Sequence, residues 1–289
     1  MVERVLLVTG GGRGIGAATC RLAAARGYRV AVNYRQDAES AGALVREIEA
    51  ASGSALAVQA DVSQPADVER LFAEAEARLG PVTHFVNNAG LTGAASRLDE
   101  ASVDTLRAVI DVNLFGALLC ARAAAARMSR SRGGSGGAIV NVSSGAATLG
   151  SPGEWVWYAA SKAAVDALTL GLARELARDG VRVNGVAPGL VDTSLHESSG
   201  VAGAARSDGS HHPVGTCGKP GGDRRDDPLS AIGFRLVRDR SGVASGRRPV
   251  SVIAGSRGGT LTGSLQALEA SRGGHRSRGS PSRSSRQSA

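Results

Sequence analysis

The sequence predicts a doubly wound α/β domain over residues 1–206, a parallel sheet with helices on both faces. Six short β-branched runs (4–9, 29–34, 55–60, 82–87, 138–143 and 181–186) alternate with longer, alanine-rich stretches. The runs lack polar alternation, which implies burial on both faces, as in a parallel sheet covered by helices. Forty glycines among 289 residues, with 42% hydrophobic residues, suit a fold with many tight strand-to-helix turns. Gly27 and Gly80 follow helical stretches where C-caps belong, and Gly133–Gly137 separates a long helix from the fifth strand. The pattern is Rossmann-like.

The first strand begins at Arg4, leaving no room for a signal peptide, and no apolar run approaches membrane-spanning length. Cys20, Cys120 and Cys217 lie far apart without metal-site spacing. The expectation is a cytoplasmic protein with reduced, buried thiols and no membrane partner.

A net charge of +8 raises the question of nucleic acid. Residues 207–289 hold 14 Lys/Arg against 6 Asp/Glu, which accounts for the whole excess. The front domain is neutral, so basicity says nothing about its partner. The tail interleaves its arginines with no aromatic except Phe234 and carries several Asp residues, which argues against a nucleic-acid surface. Its Gly/Ser/Arg-rich end cannot bury enough apolar surface to offset chain entropy, and a disordered tail is expected.

The first strand runs into Thr9-Gly-Gly-Gly-Arg-Gly-Ile-Gly16 and then a helix. Gly10, Gly14 and Gly16 permit a tight turn and a close approach to a pyrophosphate, and the helix start, with Ile15, supplies oriented N–H donors. A glycine loop alone is weak evidence; between strand one and helix one it is strong. Strand two ends Val32-Asn33-Tyr34-Arg35, without the acid that would bind the adenosine ribose of NAD. Arg35 and Arg13 suit a 2′-phosphate instead, so NADP is favoured with NAD still open; two solvated surface arginines are the competing reading. Asp61 and Val62 follow strand three, at the adenine position, and Asn87-Asn88-Ala89-Gly90 closes strand four. Asn113 interrupts an apolar helical stretch, a weakness that propensity alone does not explain.

Strand five ends Val142-Ser143-Ser144, and Tyr158 and Lys162 stand four residues apart on one helical face. Lys162 is one of only two lysines, beside 32 arginines. A free tyrosine titrates near ~10 and is a poor acid–base group at neutral pH; a neighbouring ammonium is expected to lower that value. Lysine suits this because it is a compact charge with three donors, whereas arginine is a wide planar fork.

With "TGGGRGIG", "NNAG", "NVSS", "YAASK" and "APGLVDT" in order, residues 1 to about 195 resemble the short-chain dehydrogenase/reductase family. The stretch after Ser143 is similar to sugar-dehydrogenase-like and 3-oxoacyl-carrier-protein-reductase-like members. The resemblance implies Tyr158 as acid–base residue, Lys162 as its partner and ribose anchor, and Ser144, or else Ser143, as the group that polarises the substrate oxygen. It implies Asn113 as support for a proton-relaying water chain, and Pro188, Gly189 and Thr193 as the loop beside the nicotinamide. The implied reaction is hydride transfer between NADP(H) and a small alcohol or ketone. A non-catalytic NADP-binding sensor and a truncated, inactive family member are the alternatives. The family's homo-oligomers form through the Tyr-Lys helix and the helix before strand five; impaired assembly is expected here, because the family's last helix and strand are missing from the sequence.

A shifted reading frame is expected to account for that loss. Lys219 to Leu229 is compatible with codons that, one base later, read Ser-Pro-Glu-Glu-Ile-Ala-Ala-Thr-Ile-Leu, similar to the family's last helix. Val237 to Ser251 likewise gives Tyr-Val-Thr-Gly-Ala-Val-Leu-Arg-Val-Ala-Gly-Gly-Arg and a stop, similar to its closing strand.

Overall fold

A computed structural model describes residues 4–189 and two short backbone segments, 235–238 and 251–254. Six parallel strands form the sheet: β1 (Val5–Val8), β2 (Arg29–Tyr34), β3 (Ser54–Gln59), β4 (His84–Asn87), β5 (Gly137–Val142) and β6 (Val181–Val186). Their spatial order is β3-β2-β1-β4-β5-β6. The chain steps outward from β1 to β3 and then returns to β4, so its direction reverses between β1 and β4. Ligands of open α/β sheets bind outside the strand C-termini at such a point.

The strand period of two explains the double core. Val5 and Leu7 point to one face, where α3 (Pro65–Leu79) and α5 (Ala117–Met128) bring Val68, Leu71, Phe72, Cys120, Ala124 and Met128. Leu6 and Val8 point to the other, where α1 (Gly14–Ala24) and α2 (Ala38–Ala50) bring Ala17, Cys20, Ala41, Leu44 and Ile48. Cys20 and Cys120 are buried, and burial pushes each thiol up to about 12, so they are inert fillers; Cys217 lies outside the described residues. Helix starts follow local chemistry: Asp37 accepts from the Ser40 N–H at 3.0 Å, and Ser102 caps α4 (Val103–Ile110) at the Thr105 N–H. Gly27 and Gly80 have positive φ, as their positions after α1 and α3 require.

Two features depart from the sequence reading. The long helix before β5 is not uniform. Between α4 and α5, Asp111–Gly116 winds as a π-helix. Together the three pieces span Val103–Met128, a 26-residue helix long and apolar enough by length and composition to cross a membrane. The sequence hid this length because Asp104, Arg107, Asp111, Arg122 and Arg127 interrupt it. In the fold it is a layer helix, with Cys120, Ala123, Ala124 and Met128 packed on the sheet.

The second departure lies beyond β6. A four-residue strand, β8 (Ser251–Ala254), runs parallel to β6, and β7 (Arg235–Arg238) is antiparallel to β8. The position expected to lack a strand therefore holds a short one. It registers with β6 only at Gly185 and Val186, whereas β5 meets β6 at six positions. The rest of the 207–289 tail lies outside the described residues.

Candidate active site

At the C-terminal end of β1 the glycine loop is held rigidly. Thr9 Oγ1 accepts from the Asn88 and Ala89 N–H groups at 2.9 and 3.1 Å, and Asn88 Nδ2 donates to the Thr9 and Gly10 carbonyls. Gly10 turns with φ +59°, a conformation that favours glycine. A Cβ on Gly16 would collide with the Gly10 carbonyl and lie 2.8 Å from Asn88 Nδ2. That glycine is required for helix α1 to close on the loop. No side chain caps α1 and no acid sits in its first turn, so its positive end faces the cavity unopposed.

Asn33 is 2% exposed and works as a brace. Its Oδ1 accepts from the Gly10 N–H at 3.2 Å, while its Nδ2 donates to the Val58 and Ala60 carbonyls. Asp61 is similarly occupied, accepting from the Ser63 N–H and hydroxyl. Arg35 is half-exposed, with Nη1 3.9 Å from Asp61 Oδ2, so part of its charge is already answered. Tyr34, Arg13 and Val62 complete this end of the cavity.

Tyr158 and Lys162 belong to α7 (Val156–Glu175), which follows the short α6 (Ala146–Leu149), and are 8% and 4% exposed. Tyr158 is seated among Val109, Trp155 and Trp157. Both indoles pin the loop after β4: Trp157 Nε1 donates to the Thr92 carbonyl and Trp155 Nε1 to the Gly93 carbonyl. Lys162 Nζ lies 5.8 Å from the Tyr158 ring centre and donates to the Val142 carbonyl at 2.8 Å. A Cβ on Gly90 would meet Asn113 Oδ1 at 3.3 Å and Lys162 Nζ at 3.4 Å, so a residue without a side chain lies between them.

The two serines have separate places. Ser144 hydrogen-bonds the Tyr158 side chain and lines the cavity. Ser143, 3% exposed, turns its hydroxyl to the Lys162 carbonyl at 3.1 Å. Asn113 sits in the π-helical segment, and its side chain makes three hydrogen bonds. Oδ1 accepts from the Leu91 N–H at 2.8 Å, and Nδ2 donates to the Leu91 carbonyl and to Ser161 Oγ. It clamps the loop after β4 to α7 and does not reach Lys162.

Burial sets the electrostatics. It pushes the Tyr158 phenol up from its ordinary value, with the Ser144 hydrogen bond pulling partway back. It pushes Lys162 down to about 8, against the attraction of Asp166. In the protein by itself, burial is the larger influence on the Tyr158 phenol.

These groups share one cavity of about 620 Å³. It runs from the glycine loop past Asp61 and Asn88–Gly90 to Ser144, Tyr158, Lys162, Pro188 and Gly189. Thr193 lies outside the described residues. The glycine cradle, the open α1 terminus and the length of the cavity fit a dinucleotide. Sequence reasoning missed the deep polar brace in which Asn87 Nδ2 donates to Asn141 Oδ1 and Asn141 Nδ2 to Thr169 Oγ1. Its signal was an asparagine inside the apolar run of β5. Leu149, Ser151, Pro152 and Glu154, which wall the end away from the glycine loop, carried no such signal.

Residues 4–202 match the family model described as short chain dehydrogenase. The chain is 46% identical over 199 residues to an uncharacterized oxidoreductase of Escherichia coli (strain K12), covering 69% of this chain and 81% of that protein. It is 40% identical over 198 residues to a 3-oxoacyl-[acyl-carrier-protein] reductase of Synechocystis, covering 68% and 78%. A short chain dehydrogenase from Burkholderia cenocepacia, solved in complex with NADP, superposes with a TM-score of 0.62 at 39% identity, covering 67% of this chain and 76% of that one.

Proposed function

Because the chain belongs to the short-chain dehydrogenase family of enzymes, we propose that it is an NADP(H)-dependent oxidoreductase acting on a small alcohol/ketone pair. The carrying observation is the convergence of Ser144, Tyr158 and Lys162 on the cavity that starts at the glycine loop. When bound, NADPH supplies the hydride that reaches the carbonyl carbon. Tyr158 gives its hydroxyl proton to the carbonyl oxygen, which leaves a phenolate. Ser144 donates a hydrogen bond to that oxygen as negative charge develops. Lys162, charged and buried beside the ring, stabilises the phenolate, and Asn113 holds the loop and helix in register. The experiment is NADPH consumption against a panel of small ketones, with Tyr158→Phe as control. Consumption by the control equal to that of the unaltered chain defeats the reading.

The cofactor preference rests on Arg13 and Arg35 at the cavity's other end. Arg35→Asp is expected to weaken NADPH binding by about 10–100-fold, the loss of a charge-assisted hydrogen bond, and to narrow the gap to NADH. Fluorescence titration of both cofactors checks this. NADH binding as tightly as NADPH in the unaltered chain overturns the preference.

The assembly reading rests on two outer helix faces. Ile110, Phe115 and Leu118 are exposed on the long helix, and Ala163, Ala167 and Gly171 are exposed on α7. Both suit pairing between copies of the chain, but the closing elements of the sheet contribute little here. Light scattering is expected to give a heterogeneous distribution. A single sharp tetramer peak contradicts this.

We infer further that residues 1–206 form the catalytic domain and that 207–289 are read in a shifted frame. Support comes from the family match ending at residue 202 and from the change to a Gly/Ser/Arg composition just beyond it. A truncated enzyme of weak turnover, with its reactive side chains intact, is the reading this favours for the 289-residue chain.

A further inference from the structure

We propose that Glu154 sets the substrate class: the alcohol or ketone carries a cationic, amine-type group, which Glu154 and Trp155 receive at the end of the cavity away from the glycine loop. The inference rests on the reading of this cavity as an alcohol/ketone site. Leu149, Pro152 and Trp155 make that end largely apolar, and Glu154 stands among them. Its charge is unanswered. Among the described residues, the Glu154 carboxylate has neither an ion-pair nor a hydrogen-bond partner. The other charged residues of the cavity are placed elsewhere. Arg13, Arg35, Asp37 and Asp61 lie towards the glycine loop, and Lys162 donates to the Val142 carbonyl.

The backbone that carries this acid is anchored, although the residue is exposed. The Glu154 N–H donates to the Ser151 carbonyl at 3.3 Å, and the Glu154 carbonyl accepts from the Ser96 N–H at 3.0 Å. Its neighbour is fixed as well. The Trp155 N–H donates to the Ser151 carbonyl at 3.1 Å, and its indole Nε1 donates to the Gly93 carbonyl. Ser151 turns with φ +43°, a left-handed conformation that is strained for a residue other than glycine. Strain of this kind collects at ligand sites, and here it fixes an unpaired acid beside an indole. A carboxylate attracts a cation and repels an anion, and an indole ring attracts a cation through its face. The apolar wall beside them suits the carbon groups of a substituted ammonium. A ketone ending in a carboxylate or a phosphate meets repulsion at the same place.

Three methyl ketones with one common trimethylene spacer, ending in trimethylammonium, tert-butyl or carboxylate, test the proposal. The full-length chain saturated with NADP+, which has no hydride to give, is titrated with each. Trp155 and Trp157 are the two tryptophans of the chain, so their fluorescence reports binding beside Glu154. The trimethylammonium ketone is expected to bind at least about threefold tighter than its tert-butyl isostere, and the carboxylate at least about threefold more weakly. In Glu154→Gln the spread between the cationic and anionic ligands is expected to shrink by about threefold or more. A glutamate of merely structural role would leave that spread as it was. An unchanged spread, or no saturable binding of the trimethylammonium ketone to the unaltered chain, overturns the proposal. Should Glu154→Gln fail to fold, the unaltered chain decides. An exposed carboxylate is screened by salt, so the preference must shrink as ionic strength rises, and a salt-independent preference overturns the proposal. NADPH consumption with the same ketones reports separately on the reaction. Selective binding without consumption defeats the proposed function alone, whereas consumption without selectivity defeats only this inference.

Discussion

Restoring the reading frame between residues 206 and 216 is expected to raise NADPH-dependent ketone reduction by about a hundredfold or more over the 289-residue chain. The side chains proposed to react already line one cavity, so the gain is expected from what surrounds them. The match to the family model ends at residue 202, although two oxidoreductase relatives align over 238 and 245 residues. Among the described residues the sheet edge at β6 is met only by β8, at Gly185 and Val186. The proposed shifted frame would instead supply a segment beginning Ser-Pro-Glu-Glu and a thirteen-residue run ending in a stop, similar to the family's last helix and closing strand. They would complete the wall beyond Pro188 and Gly189 and cover the apolar edge, which otherwise invites association. A misplacement of about 1 Å at a reacting centre costs ~10²-fold, which sets the size of the expected gain. Paired assays of the two proteins, with light scattering for assembly, measure it. Gene sequencing settles the origin: codons that do not yield that helix and strand one base later defeat the proposal, as does a restored protein no more active than the first.

In the restored protein, Tyr158→Phe is expected to lower kcat by about 10³-fold while NADPH affinity stays within about twofold. Positioned proton transfer is worth ~10²–10⁴-fold, and phenylalanine removes only the oxygen that carries the proton. The ring remains in its cluster with Val109, Trp155 and Trp157, so folding is preserved. Ser144 loses one hydrogen-bond partner but keeps the Ala146 N–H, which donates to its oxygen at 3.2 Å. Stopped-flow measurement of NADPH oxidation separates chemistry from binding. A loss smaller than about tenfold would assign the proton to another group.

Much of this architecture is legible in the residues because it repeats. Unbroken β-branched runs mark strands covered on both faces, and all six fall within about two residues of their expected bounds. The glycine loop and the four-residue step from Tyr158 to Lys162 are likewise local patterns. What the sequence hides depends on contacts between distant segments. Ser143 and Ser144 are indistinguishable in the chain, yet one turns inward to α7 and the other toward Tyr158. The direction of the Tyr158 shift depends on how deeply α7 is packed. The shape of the β6 edge likewise depends on segments more than sixty residues away in sequence.

The π-helical turn at Asp111–Gly116 has a consequence for how the long helix tolerates change in length. An α-helix advances about 100° per residue, and a π turn accommodates an additional residue, which offsets the phase of everything after it. Before the turn, Val109 is directed at the tryptophans beside Tyr158; after it, Cys120, Ala123 and Ala124 are directed at the sheet. The turn therefore acts as a phase shifter between two unrelated docking partners. Loss of one residue anywhere in this stretch would leave a regular helix that satisfies either the aromatic cluster or the sheet, but not both. Point substitutions in α4 or α5 are local events, whereas a one-residue deletion is felt along a full layer of the domain.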